Sequence, residues 1–130
     1  MGDERARAED AIEAALRERG GTGQELLGEC PYNAIALSDE LEERFDDRVV
    51  LLIRGLLDMD RAPSPLPVID PDHHGNAHWW VEMPIGGVWH TLDIASELPD
   101  RRGESIIVKG RPEHYVPYKV NPETKYFRPR

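Results

Sequence analysis

Three residues of the types used in nucleophilic catalysis occur in the order Cys30, His78 and Asp93, and Cys30 is the only cysteine among 130 residues. A cysteine thiolate attacks carbonyl carbons, and a neighbouring histidine can take the thiol proton and later deliver it to a leaving group. An aspartate can fix the tautomer of that imidazole and stabilise the imidazolium. The three residue types therefore predict a catalytic triad, provided that the fold brings them together.

Cys30 stands where a helix is expected to begin. Pro31 is a residue favoured in the first turn of a helix, and an amphipathic pattern continues from it to about Phe45. The positive end of the helix dipole favours a thiolate over a thiol. The backbone N–H of Cys30 is a natural donor to an oxyanion, and the side chain of Gln24 is the candidate for a second donor.

A β-hairpin is predicted to carry the histidine and the aspartate. Alternating residues 78–83 and 88–93 predict two strands, and the segment 84–87, with two glycines, is a strong turn signal.

The length of the hairpin loop decides whether His78 and Asp93 share a face of the sheet. A two-residue turn places them diagonally, a four-residue loop places them opposite each other, and both put them on one face. A three-residue loop would put them on different faces. The same face carries Trp80 and Trp89, which we expect to be packing residues or walls of a substrate cleft.

The composition bounds the class of protein. At 130 residues the chain is expected to be one domain. A net charge of −9 argues against nucleic-acid partners and anionic membranes, because no basic field attracts phosphates. An acidic chain with thirteen Arg and three Lys is typical of salt-adapted proteins or GC-rich genomes. A lone cysteine excludes an internal disulfide, and no apolar run suits a bilayer span or a signal region, so the expected location is cytoplasmic.

The remaining periodicity predicts an α+β fold. A helix is expected over residues 3–19, a Gly-rich connector follows it, and a hydrophobic strand is expected over 48–57. Four prolines mark 58–72 as a loop, and a last strand is expected at 105–109. Residues 111–130, rich in Pro, Tyr and basic side chains, are expected to form an extended arm or a partner-binding tail.

Three short motifs resemble those of the transglutaminase-like branch of the papain-type cysteine enzymes. They are Gly28-Glu29-Cys30, His78-Trp79-Trp80-Val81-Glu82 and Trp89-His90-Thr91-Leu92-Asp93. The 48 positions from Cys30 to His78 resemble the small bacterial and archaeal members. The resemblance implies N-terminal helices, with the nucleophile helix packed on an antiparallel sheet that bears His and Asp. The resemblance covers roughly residues 24–96. For the chain as a whole we expect a domain over 1–110, of which 1–23 are helix and linker, and an arm over 111–130.

The resemblance also implies an activity, namely cysteine-dependent acyl transfer on amide bonds through a thioester. The expected substrate is a protein or peptide, and no cofactor or metal is required. A Gln six residues before the Cys is similar to the papain arrangement and supports Gln24 as the oxyanion donor. Peptidase, amidase or deamidase, and transglutaminase activities all stay open, with hydrolysis slightly preferred because water is always present.

Two alternatives compete with an enzyme. The first is an inactive interaction or assembly module that docks on a protein partner through residues 111–130. The second is a metal-binding protein, because His73, His74 and His78 lie close in sequence to Asp70 and Asp72 and offer nitrogen and oxygen ligands.

Overall fold

Two helices and five strands make up the residues that the computed structural model describes, which are 2–57, 77–98 and 100–117. The helices are α1 (Gly2–Arg19) and α2 (Cys30–Arg44). The strands are β1 (Leu51–Leu57), β2 (Ala77–Ile85), β3 (Val88–Asp93), β4 (Ile106–Lys109) and β5 (Tyr115–Pro117). The predicted α+β class is confirmed. Within these residues, none of the helices has the length and apolar character needed to cross a membrane.

The two helices pack against each other through the apolar stripes that their periodicity predicts. On α1 the buried stripe is made mostly of alanines, including Ala8, Ala11 and Ala15, so that the helix axes can approach closely. On α2, Leu37 and Leu41 are fully buried. The cysteine-bearing helix lies between α1 and the sheet and packs on the sheet, as expected for it.

The strands form one antiparallel sheet in the order β4-β3-β2-β1-β5. Four of the strands fall where alternation and β-branched content predict them. β1 begins at Leu51, three residues later than expected, after an exposed Val49.

The hairpin between β2 and β3 has the two-residue turn. Ile85 pairs with Val88, and Gly86 and Gly87 have φ values of 60° and 80°. Positive φ at both central residues matches a type I′ turn, which suits the twist of antiparallel strands. Pro84 is tolerated inside β2 because the pairing with β1 has already ended at Glu82. The register therefore puts His78 and Asp93 on one face, at diagonal positions.

The two faces of the sheet carry different clusters. Val81, Met83 and Leu92 face the helices and join their core. The other face carries a second apolar cluster of Ile53, Trp80, Leu98, Ile106 and Tyr115. Since side chains alternate along a strand, His78 and Asp93 belong to this second face and point away from the helices.

The predicted domain boundary at residue 110 requires a correction. β5 pairs with β1 across Gly55↔Pro117, Leu56↔Val116 and Leu57↔Tyr115, and Tyr115 is buried. Residues 111–117 therefore belong to the folded domain rather than to an arm. The predicted loop at 58–72 and the rest of the predicted arm, 118–130, lie outside the described residues.

Candidate functional site

His78 and Asp93 form a buried hydrogen-bonded pair. His78 lies near the start of β2, Asp93 ends β3, and Nε2 of the ring is 2.6 Å from Oδ2 of the carboxylate. Both side chains are about 95% or more buried. The predicted contact between them is present, and it joins the start of β2 to the end of β3, which lie at the same end of the antiparallel pair.

The surroundings of Asp93 define which ring nitrogen carries the proton. The Tyr115 hydroxyl donates to Oδ2 at 2.7 Å, and the backbone N–H of Ala95 donates to Oδ1 at 3.1 Å. A carboxylate that accepts from these donors also accepts from Nε2–H of His78. In neutral imidazole Nδ1 then holds the lone pair, so Nδ1 is the nitrogen suited to accept a thiol proton.

Aromatic rings enclose the pair on its sheet face. The ring of Tyr115 meets His78 edge-on with 4.9 Å between centroids, and Trp80 lies 6.0 Å from His78 in a stacked orientation. Burial of the phenol, together with the negative charge of Asp93, raises the pKa of Tyr115 far above its usual range. The hydroxyl therefore keeps its proton and remains a donor at every physiological pH.

The start of α2 is held by the last turn of α1. Arg19 forms an ion pair with Glu29, the residue that precedes the helix, and its Nε donates to Oδ1 of Asn33 at 3.1 Å. Asn33 is buried and in turn donates to the carbonyl of Leu26 at 2.9 Å. Cys30 is the first residue of α2, so the helix begins at the cysteine as the sequence predicts. Its side chain lies outside the described part of the structure.

The chain reaches α2 past the end of β3. A β-carbon at Gly23 would collide with the carbonyl oxygen of Gly103 and lie 2.8 Å from that of Ile94, so only glycine fits this close approach. Ile94 directly follows Asp93. The segment that leads into α2 therefore passes the end of β3, where the His–Asp pair lies. Because α2 and the pair lie on opposite faces, a contact with Cys30 would have to be made around this end of the strands.

Gln24, the predicted oxyanion donor, is engaged elsewhere. Its Nε2 donates to the carbonyl oxygen of Arg102 at 2.6 Å, and its amide packs on Gly103, whose φ is 83°. This bond anchors the loop after β3 to the segment before α2, and it gives Gln24 a structural role. The oxyanion role stays a prediction that would use the second N–H of the amide.

The two tryptophans expected to line a cleft have different surroundings. Trp80 is fully buried, and its indole N–H donates to Glu82 at 2.7 Å, so a packing role replaces the predicted cleft role. Trp89 is 47% exposed and lines a groove of about 370 Å³ together with Leu51 and Arg111. Trp89 is therefore accessible at an open surface, and its role in a substrate cleft stays a prediction.

Glu82 forms a salt bridge with Arg111. Arg111 binds both carboxylate oxygens, with Nε at 2.6 Å and Nη2 at 2.9 Å. Because the planar guanidinium matches a carboxylate in this two-point arrangement, the pair fixes the segment before β5 on the sheet.

A metal site is not among the features of the described ranges. Across 2–57, 77–98 and 100–117, no group of three His, Cys, Asp or Glu side chains is placed to hold an ion. His78 binds Asp93, whereas His73 and His74 lie outside the described residues.

Tyr115 and Arg111 are the site residues that sequence reasoning missed. Both lie in the segment interpreted as an arm, where frequent prolines mask a three-residue strand. A signal was present in Tyr115-Val116, an aromatic and a β-branched residue in sequence, but two residues do not establish a period.

Comparisons with known proteins add no evidence to the geometry of the site. No family model matches the chain, and neither a curated protein nor a solved structure is significantly similar to it.

Proposed function

We propose that this protein is a cysteine-dependent acyl-transfer enzyme that acts on amide bonds of a protein or peptide through Cys30, His78 and Asp93. The observation that carries the proposal is the buried hydrogen bond between His78 and Asp93. Burying an ionisable pair costs free energy unless the groups are well satisfied, so the presence of such a pair between two strands is typical of a functional site. The resemblance to transglutaminase-like enzymes adds Cys30 to this pair as the nucleophile of a triad.

The first half-reaction would form a thioester. Nδ1 of His78 takes the proton of the Cys30 thiol, and the sulfur attacks the amide carbon to give a tetrahedral oxyanion. The C–N bond then breaks, and the proton on His78 passes to the leaving nitrogen. Asp93 keeps Nε2 protonated throughout and stabilises the imidazolium.

The second half-reaction would return the thiol. Water gives a proton to His78 and attacks the thioester carbon, the C–S bond breaks, and the sulfur recovers that proton. A carboxylic acid is released. A primary amine in place of water would give a new amide, and the same residues would serve.

The helix start supplies electrostatic support. The position of Cys30 as the first residue of α2 favours a thiolate, because the first helical hydrogen bond runs from Asn33 N–H to the Glu29 carbonyl and the positive end of the helix dipole lies at this turn. The N–H of Cys30 precedes that first bond and would be oriented toward an oxyanion. His78 is the base, and the N-terminus of α2 provides the electrostatic field that stabilises the thiolate.

Thiol alkylation tests the proposal directly. With iodoacetamide, we expect Cys30 in the native protein to react with a pH midpoint well below the ~8.5 of a free thiol. H78Q should return the midpoint toward that value, since the amide can bond to Asp93 but cannot take the proton. H90Q is the matched control, because His90 is buried on the other face of the sheet and bonds only to the carbonyl of Val88 among the described contacts.

Two results would contradict the proposal. One is labelling that requires denaturant, and the other is a midpoint that H78Q and H90Q leave equally unchanged. If the thiol is activated, the products separate the reaction types. A new amino terminus marks a peptidase, ammonia marks a deamidase, and incorporation of a fluorescent primary amine marks a transglutaminase.

A further inference from the structure

Tyr115 reaches Asp93 across two intervening strands. It lies on β5 at one edge of the sheet, whereas Asp93 ends β3, and β2 and β1 separate the two strands. Its hydroxyl nevertheless donates to Oδ2 of Asp93 at 2.7 Å and lies 3.4 Å from Oγ of Ser96. The side chain is 1% exposed. It therefore lies along the sheet face rather than projecting away from it.

Gly55 occupies the position of β1 that lies between the histidine and β5. In the sheet register Gly55 is paired with His78 on β2 and with Pro117 on β5. Glycine inside a strand lowers stability by roughly 0.5–1 kcal/mol relative to alanine, and it often marks a place where another group approaches the backbone closely. At this position β1 therefore presents no side chain between His78 and β5 on the face that carries Tyr115.

The same carboxylate oxygen serves both donors. Oδ2 accepts from Tyr115 and contacts Nε2 of His78, while Oδ1 accepts from the N–H of Ala95. With donors on both oxygens the carboxylate cannot rotate without losing a bond. Its direction, and with it the orientation of the imidazole, is then fixed by Tyr115 as well as by the backbone.

We infer that Tyr115 is a positioning residue for the His78–Asp93 pair and that β5 is part of the catalytic apparatus. The inference rests on the proposed function for its consequence in catalysis, but the positioning itself can be measured without any activity. Tyr115 would act through Asp93 and would not contact the reacting atoms.

The variant Y115F tests this inference because it removes one oxygen and keeps the ring. Nitrogen-15 NMR of the imidazole should show a single Nε2–H tautomer for His78 in the native protein and a tautomer mixture in Y115F. Since a hydrogen bond to a charged group is lost, alkylation of Cys30 at neutral pH should slow roughly tenfold.

The matched control is T91V. Thr91 is buried on the same sheet face, and its hydroxyl donates to the carbonyl of Gly110 at 2.6 Å. The substitution removes a buried hydroxyl from a neighbouring position without touching the pair. We expect T91V to lose stability while keeping the native tautomer of His78 and the native alkylation rate.

The outcomes separate the two proposals. A native tautomer together with a native alkylation rate in Y115F would overturn the inference. A tautomer mixture in Y115F, combined with a thiol that is inert in every variant, would overturn the proposed function and support the positioning.

If Y115F does not fold, the native protein still provides a test. With tyrosine labelled at Cζ, the deuterium isotope effect in mixed H2O and D2O reports how fast each hydroxyl exchanges. We expect slow exchange for Tyr115 and fast exchange for Tyr32, which is 64% exposed and serves as the internal reference. Exchange of Tyr115 as fast as that of Tyr32 would overturn the inference.

Discussion

Asp93 is the residue on which three buried donors converge at the second sheet face. It accepts from a ring nitrogen, a phenol and a backbone N–H, and each of these donors comes from a different part of the chain. Buried donors that lose their acceptor cost about 1–3 kcal/mol each. The carboxylate is therefore a structural requirement as well as a candidate catalytic group.

Replacing Asp93 by alanine should lower the free energy of unfolding by about 2–5 kcal/mol, because two buried side-chain donors lose their acceptor. Urea denaturation measures the loss. D100A is the control, since Asp100 is exposed, and we expect it to change stability by less than about 0.5 kcal/mol. Equal stabilities for D93A and D100A would contradict the claim that the buried donors depend on Asp93 as their acceptor.

The sequence allowed the His78–Asp93 contact to be predicted because the contact depends on local rules. Alternation assigns the faces of two adjacent strands, and two glycines select the turn that sets their register. The partner Tyr115 could not be predicted in the same way. Its contact depends on a return of the chain to the far edge of the sheet, which periodicity does not encode.

Ion pairs join the helices, strands and turns to one another. The sequence alone does not show which charged residues form these pairs. Glu4, in the first turn of α1, binds the guanidinium of Arg48 and accepts from the backbone N–H of Gly86 at 2.9 Å. One carboxylate thus links the helix, the approach to β1 and the hairpin turn. The N–H of Gly86 first, and then Arg48, lower the pKa of Glu4 below its ordinary value of 4.5.

The pH dependence of this link has a definite sign. Because folding lowers the pKa of Glu4, the link stabilises the fold above about pH 4.5 and is lost as the pH falls through the lower folded value. E4Q should therefore melt at a lower temperature than the native protein at pH 7, and the difference should shrink on acidification. Calorimetry across that range measures it.

The control for this prediction is E13Q, which makes the same charge change at an exposed position of α1. We expect E13Q to leave the pH dependence of the melting temperature unaltered. A difference between E4Q and the native protein that persists at strongly acidic pH would show that the carboxylate is not the group responsible.

The helices and the longer strands could be predicted from the sequence, whereas the shortest strand, β5, could not. Both helices and the four strands of four or more residues follow from hydrophobic periodicity and turn residues. β5 has only three residues, of which one is proline, so its pairing with β1 comes from tertiary contacts rather than from local preference. The mistaken boundary at residue 110 follows from that.

The whole molecule carries a net charge of −9, so its carboxylates repel one another. Part of this repulsion acts where the two helices meet. Partial desolvation, and then the nearby carboxylate of Glu40, raise the pKa of Glu18. A raised pKa means that Glu18 opposes folding more strongly as the pH rises through its folded value. The charge therefore reduces stability at neutral pH.

Added salt should stabilise the protein, because ions screen this repulsion. The Debye length falls from about 10 Å at 0.1 M to about 3 Å at 1 M salt. We expect the free energy of unfolding in urea to rise with NaCl at pH 7, and E18Q to start from a higher stability with a smaller rise. Stability that falls with NaCl would contradict this account of the charge.

The path of Tyr115 across the sheet has a consequence for the timing of synthesis. Cys30, His78 and Asp93 all leave the ribosome before residue 115, so a nascent chain holds the three candidate catalytic groups before it holds the hydroxyl that bonds to Asp93. If Tyr115 orients the pair, the thiol gains its full reactivity only after β5 has joined the sheet. A chain still being synthesised would then be protected from premature acylation, because the edge strand β5 is not yet in place.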